Sequence, residues 1–183
     1  PFFGEGMTIL PGNRIVQFTW KEGTAIVRDL TTLAEVNRFS YAEEGWGLCW
    51  SASKKAIVHS DGTNVLRLRD PDTFEVVRSV ATKFRDGRAP TALNELECVD
   101  GTVYVNVWTT KTILQVDLAT GEVMRTIDAS ALGPTTVASA DDIKRQTVTA
   151  VYPITDLLMV VPDYDKVPAL DLSAVLAQAK QRA

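Results

Sequence analysis

Residues 112–127 read TILQVDLATGEVMRTI, and this stretch decides the fold. An alternating apolar run ends on Asp117, Thr120 follows three residues on, and a Glu-Val-x-Arg segment returns. Period-two alternation on both sides of a polar Thr-Gly turn is the pattern of a β-hairpin. Working outward, the same pattern stands at Asn64–Val80 (NVLRLRDPDTFEVVRSV) and at Thr24–Phe39 (TAIVRDLTTLAEVNRF). The anchoring aspartates Asp29, Asp70 and Asp117 recur 41 and 47 residues apart. Asp70-Pro71 and Thr120-Gly121 are dipeptides with backbone reasons to turn.

Ahead of each hairpin lies a further strand pair. Gly6–Trp20 turns at Pro11-Gly12-Asn13, Gly47–Ser60 near Ser51–Lys54, and Leu93–Trp108 at Asp100-Gly101. Four short strands in a unit of about 40–50 residues is the signature of propeller blades. No apolar period of 3.6 residues appears before residue 170, which disfavours a helical solenoid. The reading is an all-β propeller forming a single domain over residues 1–183. Residues 1–130 supply three clear blades, 131–170 a diverged one, and 171–183 a short helix and tail.

Composition narrows the function classes. The chain has 183 residues, 45% of them hydrophobic and 23% charged, an ordinary globular balance that excludes a disordered or collagen-like chain. No apolar run approaches the roughly 18–20 residues of a membrane span, so an integral membrane protein is not expected. A net charge of −4 disfavours a nucleic-acid binder, which carries a basic face. One His and two Cys leave no metal-ligand cluster, so neither a metal nor a cofactor is expected. The opening Pro1-Phe2-Phe3-Gly4-Glu5-Gly6 has neither a basic nor a long apolar region, so it is not expected to be a signal peptide.

The register of the repeat points to a site. Glu5 stands 24 residues before Asp29, Trp46 24 before Asp70, and Asn94 23 before Asp117. Nine residues before the same anchors stand Trp20, Asp61 and Trp108. In a meandering blade the start of the first strand and the end of the second emerge on one face. These six residues are therefore expected to crowd one end of the central channel. Indole walls around a carboxylate and an amide suit a small-molecule pocket. Bland readings compete: Trp in β-proteins more often packs a core, and Asp61 before Gly62 fits a turn or cap. His59 reads as a satisfied core histidine, and Cys49 and Cys98 as free, small buried hydrophobes. The Asp, Thr, Glu and Arg set of the hairpins reads as turn chemistry and cross-strand pairing.

Five motifs then give a resemblance. Phe3-Gly4-Glu5-Gly6-Met7-Thr8, Gly45-Trp46-Gly47-Leu48, Ser60-Asp61-Gly62-Thr63, Leu93-Asn94-Glu95-Leu96-Glu97 and Asn106-Val107-Trp108 span about 70% of the chain. In this order and spacing the sequence resembles the propeller-type glutaminyl-peptide cyclotransferases of plants and bacteria. The resemblance implies a five-bladed propeller that converts N-terminal glutamine to pyroglutamate, releasing ammonia without zinc. It implies that Glu5 is the catalytic carboxylate, that Trp20, Trp46, Asn94 and Trp108 line the pocket, and that Phe3 sits at its rim. The partner would be a peptide or protein beginning with Gln. On this reading Asn94 and the indole N–H groups donate to the developing oxyanion. Relatives with known addresses are typically secretory, vacuolar or periplasmic.

The departures matter as well. A family Phe-Thr-Gln-Gly segment is not found, and Val161-Pro162 stands where a Gly-Lys pair is expected, with Tyr164 in place of a Trp. Lys166 is nearby but out of register, and Ala150-Val151-Tyr152-Pro153 is a faint echo of a second family segment. At about 40–45 residues per blade, this length supplies four blades at most. An incomplete propeller exposes two sheet edges for a protein partner to cover. Asp171–Arg182 reads as a short amphipathic helix with its stripe on Leu172, Val175, Leu176 and Ala179. Three readings stay open: a cyclotransferase, an inactive scaffold subunit of a larger assembly, and a propeller that binds without turnover.

Overall fold

In the computed structural model, residues 2–130 are described. The 131–170 blade, the Asp171–Arg182 helix and the positions of Lys166 and Tyr164 lie outside them. Twelve strands follow one another: β1 (Gly4–Leu10), β2 (Arg14–Thr19), β3 (Thr24–Asp29), β4 (Glu35–Ser40), β5 (Gly47–Ser51) and β6 (Ala56–Ser60), then β7 (Val65–Arg69), β8 (Val76–Ala81), β9 (Leu93–Val99), β10 (Thr102–Val107), β11 (Thr112–Asp117) and β12 (Val123–Asp128). They form three four-stranded antiparallel meanders, β1–β4, β5–β8 and β9–β12. The hairpin repeat therefore marks the outer half of each sheet, and the strand pair ahead of it the inner half.

The turn chemistry repeats from sheet to sheet. Asp29 Oδ1 accepts from Thr31 N, Thr32 N and Thr32 Oγ1 at 3.0, 2.8 and 3.0 Å. Asp70 takes Asp72 N, Thr73 N and Thr73 Oγ1 at 2.9, 2.8 and 3.2 Å. Asp117 takes Ala119 N, Thr120 N and Thr120 Oγ1 at 2.8, 2.7 and 3.0 Å. One carboxylate oxygen thus supplies the acceptor for donors that a tight turn leaves without a ladder partner. These donors hold all three carboxyls below the usual carboxylate range. Past the first turn, Glu35 pairs with Arg38 at 2.9 Å along β4.

Burial follows the pleat. The middle strands carry the core, as in β6, buried throughout, whereas β4 and β8 are mostly exposed. Two apolar clusters result, one between the first and second sheets around Phe18, Ile57 and Phe74, the other between the second and third around Leu66, Leu93 and Leu114. Burial of such side chains, each worth roughly 1.5–3 kcal/mol, drives the sheets face to face.

The innermost strands come together most closely. β5 lies between β1 and β9. A Cβ on Gly47 would sit 2.2 Å from the Asn94 carbonyl oxygen, so no other residue fits there. Gly6 N donates to the Trp46 carbonyl at 2.9 Å, and Ser60 Oγ accepts from Gly47 N at 2.9 Å while donating to the Asn94 carbonyl.

The two cysteines are not the free hydrophobes expected from the sequence. Cys49 and Cys98 form a disulfide with a Cα–Cα distance of 5.5 Å and a sequence separation of 49. Because β5 and β9 are spatial neighbours, residues far apart in the chain face each other, and the bond joins the second sheet to the third.

Candidate functional site

Two of the inner strands carry a β-bulge where a candidate side chain stands. In β1 the pairing moves from Gly4↔Thr19 to Met7↔Gln17, so Glu5 and Gly6 face a single residue of β2. In β9 it moves from Leu93↔Val107 to Leu96↔Val105, so Asn94 and Glu95 face only Asn106. Asn106 Oδ1 accepts from Glu95 N at 2.8 Å, replacing the ladder bond that the bulge removes. Bulges of this kind re-aim a side chain away from the pleat's alternation. Here they turn Glu5 and Asn94 toward a common space.

That space is an open pocket of ≈ 250 Å³ lined by Phe3, Glu5, Trp20, Trp46, Asn94 and Trp108. Five of the six register-equivalent residues meet there, with Phe3 beside them. Trp46 and Trp108 stand edge to face with ring centres 5.5 Å apart, and Phe3 meets Trp20 edge to face at 5.9 Å. Phe3, Trp20 and Trp108 are exposed and Glu5 is half-buried, so the aromatic side chains form a rim and the carboxylate lies behind it. Burial pushes the Glu5 carboxyl up from its ordinary value. Glu95, next to Asn94 in the bulge, is displaced the same way by crowding among the inner strands, with the Glu5 and Glu97 charges adding to it. Hydrogen bonds from the backbone N–H groups of Leu96 and Leu48 limit that displacement.

Asp61 is the register-equivalent residue that does not reach the pocket. Its Oδ1 caps Thr63 N at 3.1 Å and its Oδ2 takes Arg67 at 2.6 Å, the turn role that its place before Gly62 suggests. His59 is a fully buried, satisfied histidine. Its Nε2 is 2.9 Å from the Glu44 carbonyl, and its Nδ1 accepts from Arg69 Nε at 3.1 Å, which sets the proton on Nε2. Burial lowers its pKa to about 4, the neighbouring Arg69 charge helping, so the ring is neutral near pH 7. Arg69 also reaches Glu43 at 2.6 Å, and Arg67 bridges Glu43 at 3.0 Å and Asp61 at 2.6 Å.

One expectation about the indoles is corrected. The Nε1–H groups of Trp20 and Trp46 both donate to Glu44 Oε2, at 2.9 and 3.0 Å, and so are not available to an oxyanion. The Asn94 amide and the Trp108 indole N–H have no partner among the described residues and remain as donors. Glu44 is the residue the repeat does not flag, since it stands in the link between sheets rather than at a register position. Among the described residues no group of three His, Cys, Asp or Glu side chains is placed to hold a metal ion, and no helix is long and apolar enough to cross a membrane.

A family model for glutamine cyclotransferase matches residues 1–151. The chain belongs to the glutamine cyclotransferase family. It is 36% identical over 132 residues to an Arabidopsis thaliana glutaminyl-peptide cyclotransferase, a match covering 72% of this chain and 40% of that protein. The crystal structure of Myxococcus xanthus glutaminyl cyclase superposes with a TM-score of 0.67 at 39% identity, over 72% of this chain and 55% of that one. The chain thus spans about half or less of the length of these family members. The all-β architecture of three antiparallel meanders agrees with that match.

Proposed function

We propose that this chain carries the catalytic carboxylate and the aromatic pocket of a glutaminyl-peptide cyclotransferase, which closes an N-terminal glutamine to pyroglutamate and releases ammonia. On this reading the three sheets are consecutive blades of a five-bladed-type propeller. The observation that supports it most is Glu5, set by its bulge into a pocket with three indoles and the Asn94 amide, in a chain of this family.

The chemistry follows from the residues. The substrate's α-ammonium sits among the indole faces, which attract a cation and exclude competing water. Glu5, whose carboxyl is raised by burial, takes one proton from it. The freed amine attacks the side-chain amide carbon, and the carbonyl oxygen that becomes negative is met by the Asn94 NH₂ and the Trp108 N–H. A C–N bond forms to the α-nitrogen and the bond to the amide nitrogen breaks. Glu5 returns its proton to the departing nitrogen, which leaves as ammonia, and the extra proton on the ring nitrogen passes to the carboxylate and then to solvent. The walls also hold the glutamine side chain curled, and that proximity favours five-membered ring closure.

Incubation of the intact protein with a Gln-initiated peptide tests this. Ammonia release with a mass loss of about 17 Da, abolished in Glu5→Gln, is the expected result. A folded protein without turnover would leave the binding-only or scaffold roles, and turnover indifferent to Glu5→Gln would remove Glu5 from the chemistry.

A further inference from the structure

Glu44 is not part of the pocket wall, yet it holds two of its members. A single carboxylate oxygen accepts from the indole N–H of Trp20, which follows β2 in the first sheet, and of Trp46, which precedes β5 in the second. Its other oxygen lies 3.6 Å from Lys21 Nζ, and that ammonium lies 4.1 Å from the centre of the Trp20 ring. The backbone of the same segment is pinned from beneath. The His59 ring bonds the Glu44 carbonyl, Gly45 N donates to the Trp20 carbonyl at 2.8 Å, and Arg67 and Arg69 both grip Glu43. The Glu44 carboxylate is itself partly exposed, but the backbone that carries it rests on a paired network whose His59 and Arg69 are buried. Hydrogen bonds from Trp46 first, with those of Trp20 and the nearby Lys21, also hold the Glu44 carboxyl below the usual range, so it stays an anionic acceptor across neutral pH.

The geometry points to Glu44 as a positioning residue for the site, fixing the planes of Trp20 and Trp46 so that ring faces rather than N–H edges meet the ligand. This rests on the cyclotransferase reading for its catalytic consequence, but the clamp itself does not. Two N–H groups tied to one oxygen restrain each indole's rotation about its χ angles, and they couple the first sheet to the second across the pocket mouth. Trp108, which Glu44 does not bond, is left as the indole whose N–H can turn to a substrate oxygen.

The test uses two substitutions on the intact protein. Gln keeps a carbonyl oxygen with two lone pairs at the same reach, whereas Ala removes the acceptor. In ¹H–¹⁵N spectra, with assignments from Trp20→Phe and Trp46→Phe, the Trp20 and Trp46 indole N–H signals should move upfield and exchange faster in Glu44→Ala. They should be largely restored in Glu44→Gln, while that of Trp50, which does not line the pocket, stays in place and reports an intact fold. With a Gln-initiated peptide, kcat should fall about tenfold in Glu44→Ala and recover to within about threefold of wild type in Glu44→Gln, the limb of the pH profile set by Glu5 being unmoved. Indole signals unchanged in Glu44→Ala, or movement of only one of the pair, would overturn the clamp. A Gln variant as impaired as the Ala variant would replace positioning by a direct charge effect on the substrate and overturn the proposal. If the wild type turns over no Gln peptide, the cyclotransferase reading falls, and the indole signals still decide the clamp.

Discussion

The two ends of each sheet obey different rules. At the hairpin end, three aspartates in three sheets bind the same set of donors at distances between 2.7 and 3.2 Å. At the inner end, the three equivalent positions hold Glu5, Trp46 and Asn94, and two of the three inner strand pairs are bulged there while β5–β6 pairs regularly. One end repeats because every four-stranded sheet must solve the same backbone problem. The other diverges: one pocket is lined by an acid, an indole and an amide from three different sheets, as the proposed chemistry requires. Equal register with unequal chemistry is what separates the site from the scaffold.

The largest expected effect breaks the inner end alone. Glu5→Gln should cut turnover of a Gln-initiated peptide by about 10²–10⁴ while the thermal midpoint holds, since the amide keeps the shape and loses the base. A comparable loss from a residue of the Asp117 turn, where nothing faces the pocket, would erase the distinction between the ends.

The link between the second and third sheets comes next. The Cys49–Cys98 disulfide closes a loop of 49 residues. The chain-entropy model gives such a closure about 4 kcal/mol. Urea denaturation with and without reductant should show a loss of that order, with the disulfide-free protein still folding if the sheets' apolar contacts suffice. No difference between the two titrations would mean that the bond does not form in solution.

His59 ties the scaffold to the site more weakly. Its folded pKa of about 4 lies below the ordinary histidine value of 6.5. Between those values the unfolded chain binds a proton that the folded chain refuses, so this contribution is complete above pH 6.5 and is lost as the pH falls toward 4. The loss reaches about 3 kcal/mol at most. Urea midpoints compared between pH 7 and pH 4.5, in wild type and in His59→Gln, isolate it. The variant is expected to be less stable at neutral pH and less sensitive to acid. Equal acid sensitivity in both would assign the effect to the carboxylates instead.

Much of this was legible in the residues. The Asp-x-x-Thr anchors gave the period, and the period placed Glu5, Trp20, Trp46, Asn94 and Trp108 at one end. What stayed hidden depends on which strands become neighbours. Cys49 and Cys98 read as separate hydrophobes because nothing in one dimension says that β5 lies against β9. Glu44 lies outside the repeat and gains its role only where the end of β2 meets the approach to β5. The acidic pair Glu43-Glu44 directly before Gly45-Trp46 was the available signal, since an indole N–H so close in the chain to two acids has a carboxylate acceptor within reach. At Asp61 two sequence signals competed, and the turn signal of the adjacent Gly62 held over the register: the carboxylate folds back onto Thr63 rather than into the mouth.

The smallest effect tests how uniform the hairpin end really is. The residue after each turn threonine has a positive φ: 58° at Leu33, 66° at Phe74 and 76° at Gly121. Two sheets tolerate a side chain in this left-handed conformation, so the backbone alone does not require glycine. In the third, the segment after β8 runs alongside the turn, with Lys83 N donating to the Gly121 carbonyl and Val123 N to the Lys83 carbonyl. A Cβ at Gly121 would stand 2.2 Å from the Ala81 carbonyl oxygen. Gly121→Ala is therefore expected to cost about 1–2 kcal/mol, the left-handed strain plus displacement of that segment. Leu33→Ala, exposed and unhindered, should change stability by no more than about 0.5 kcal/mol. Equal effects at the two positions would mean that the turn, rather than the strand connection packed against it, sets the requirement for glycine.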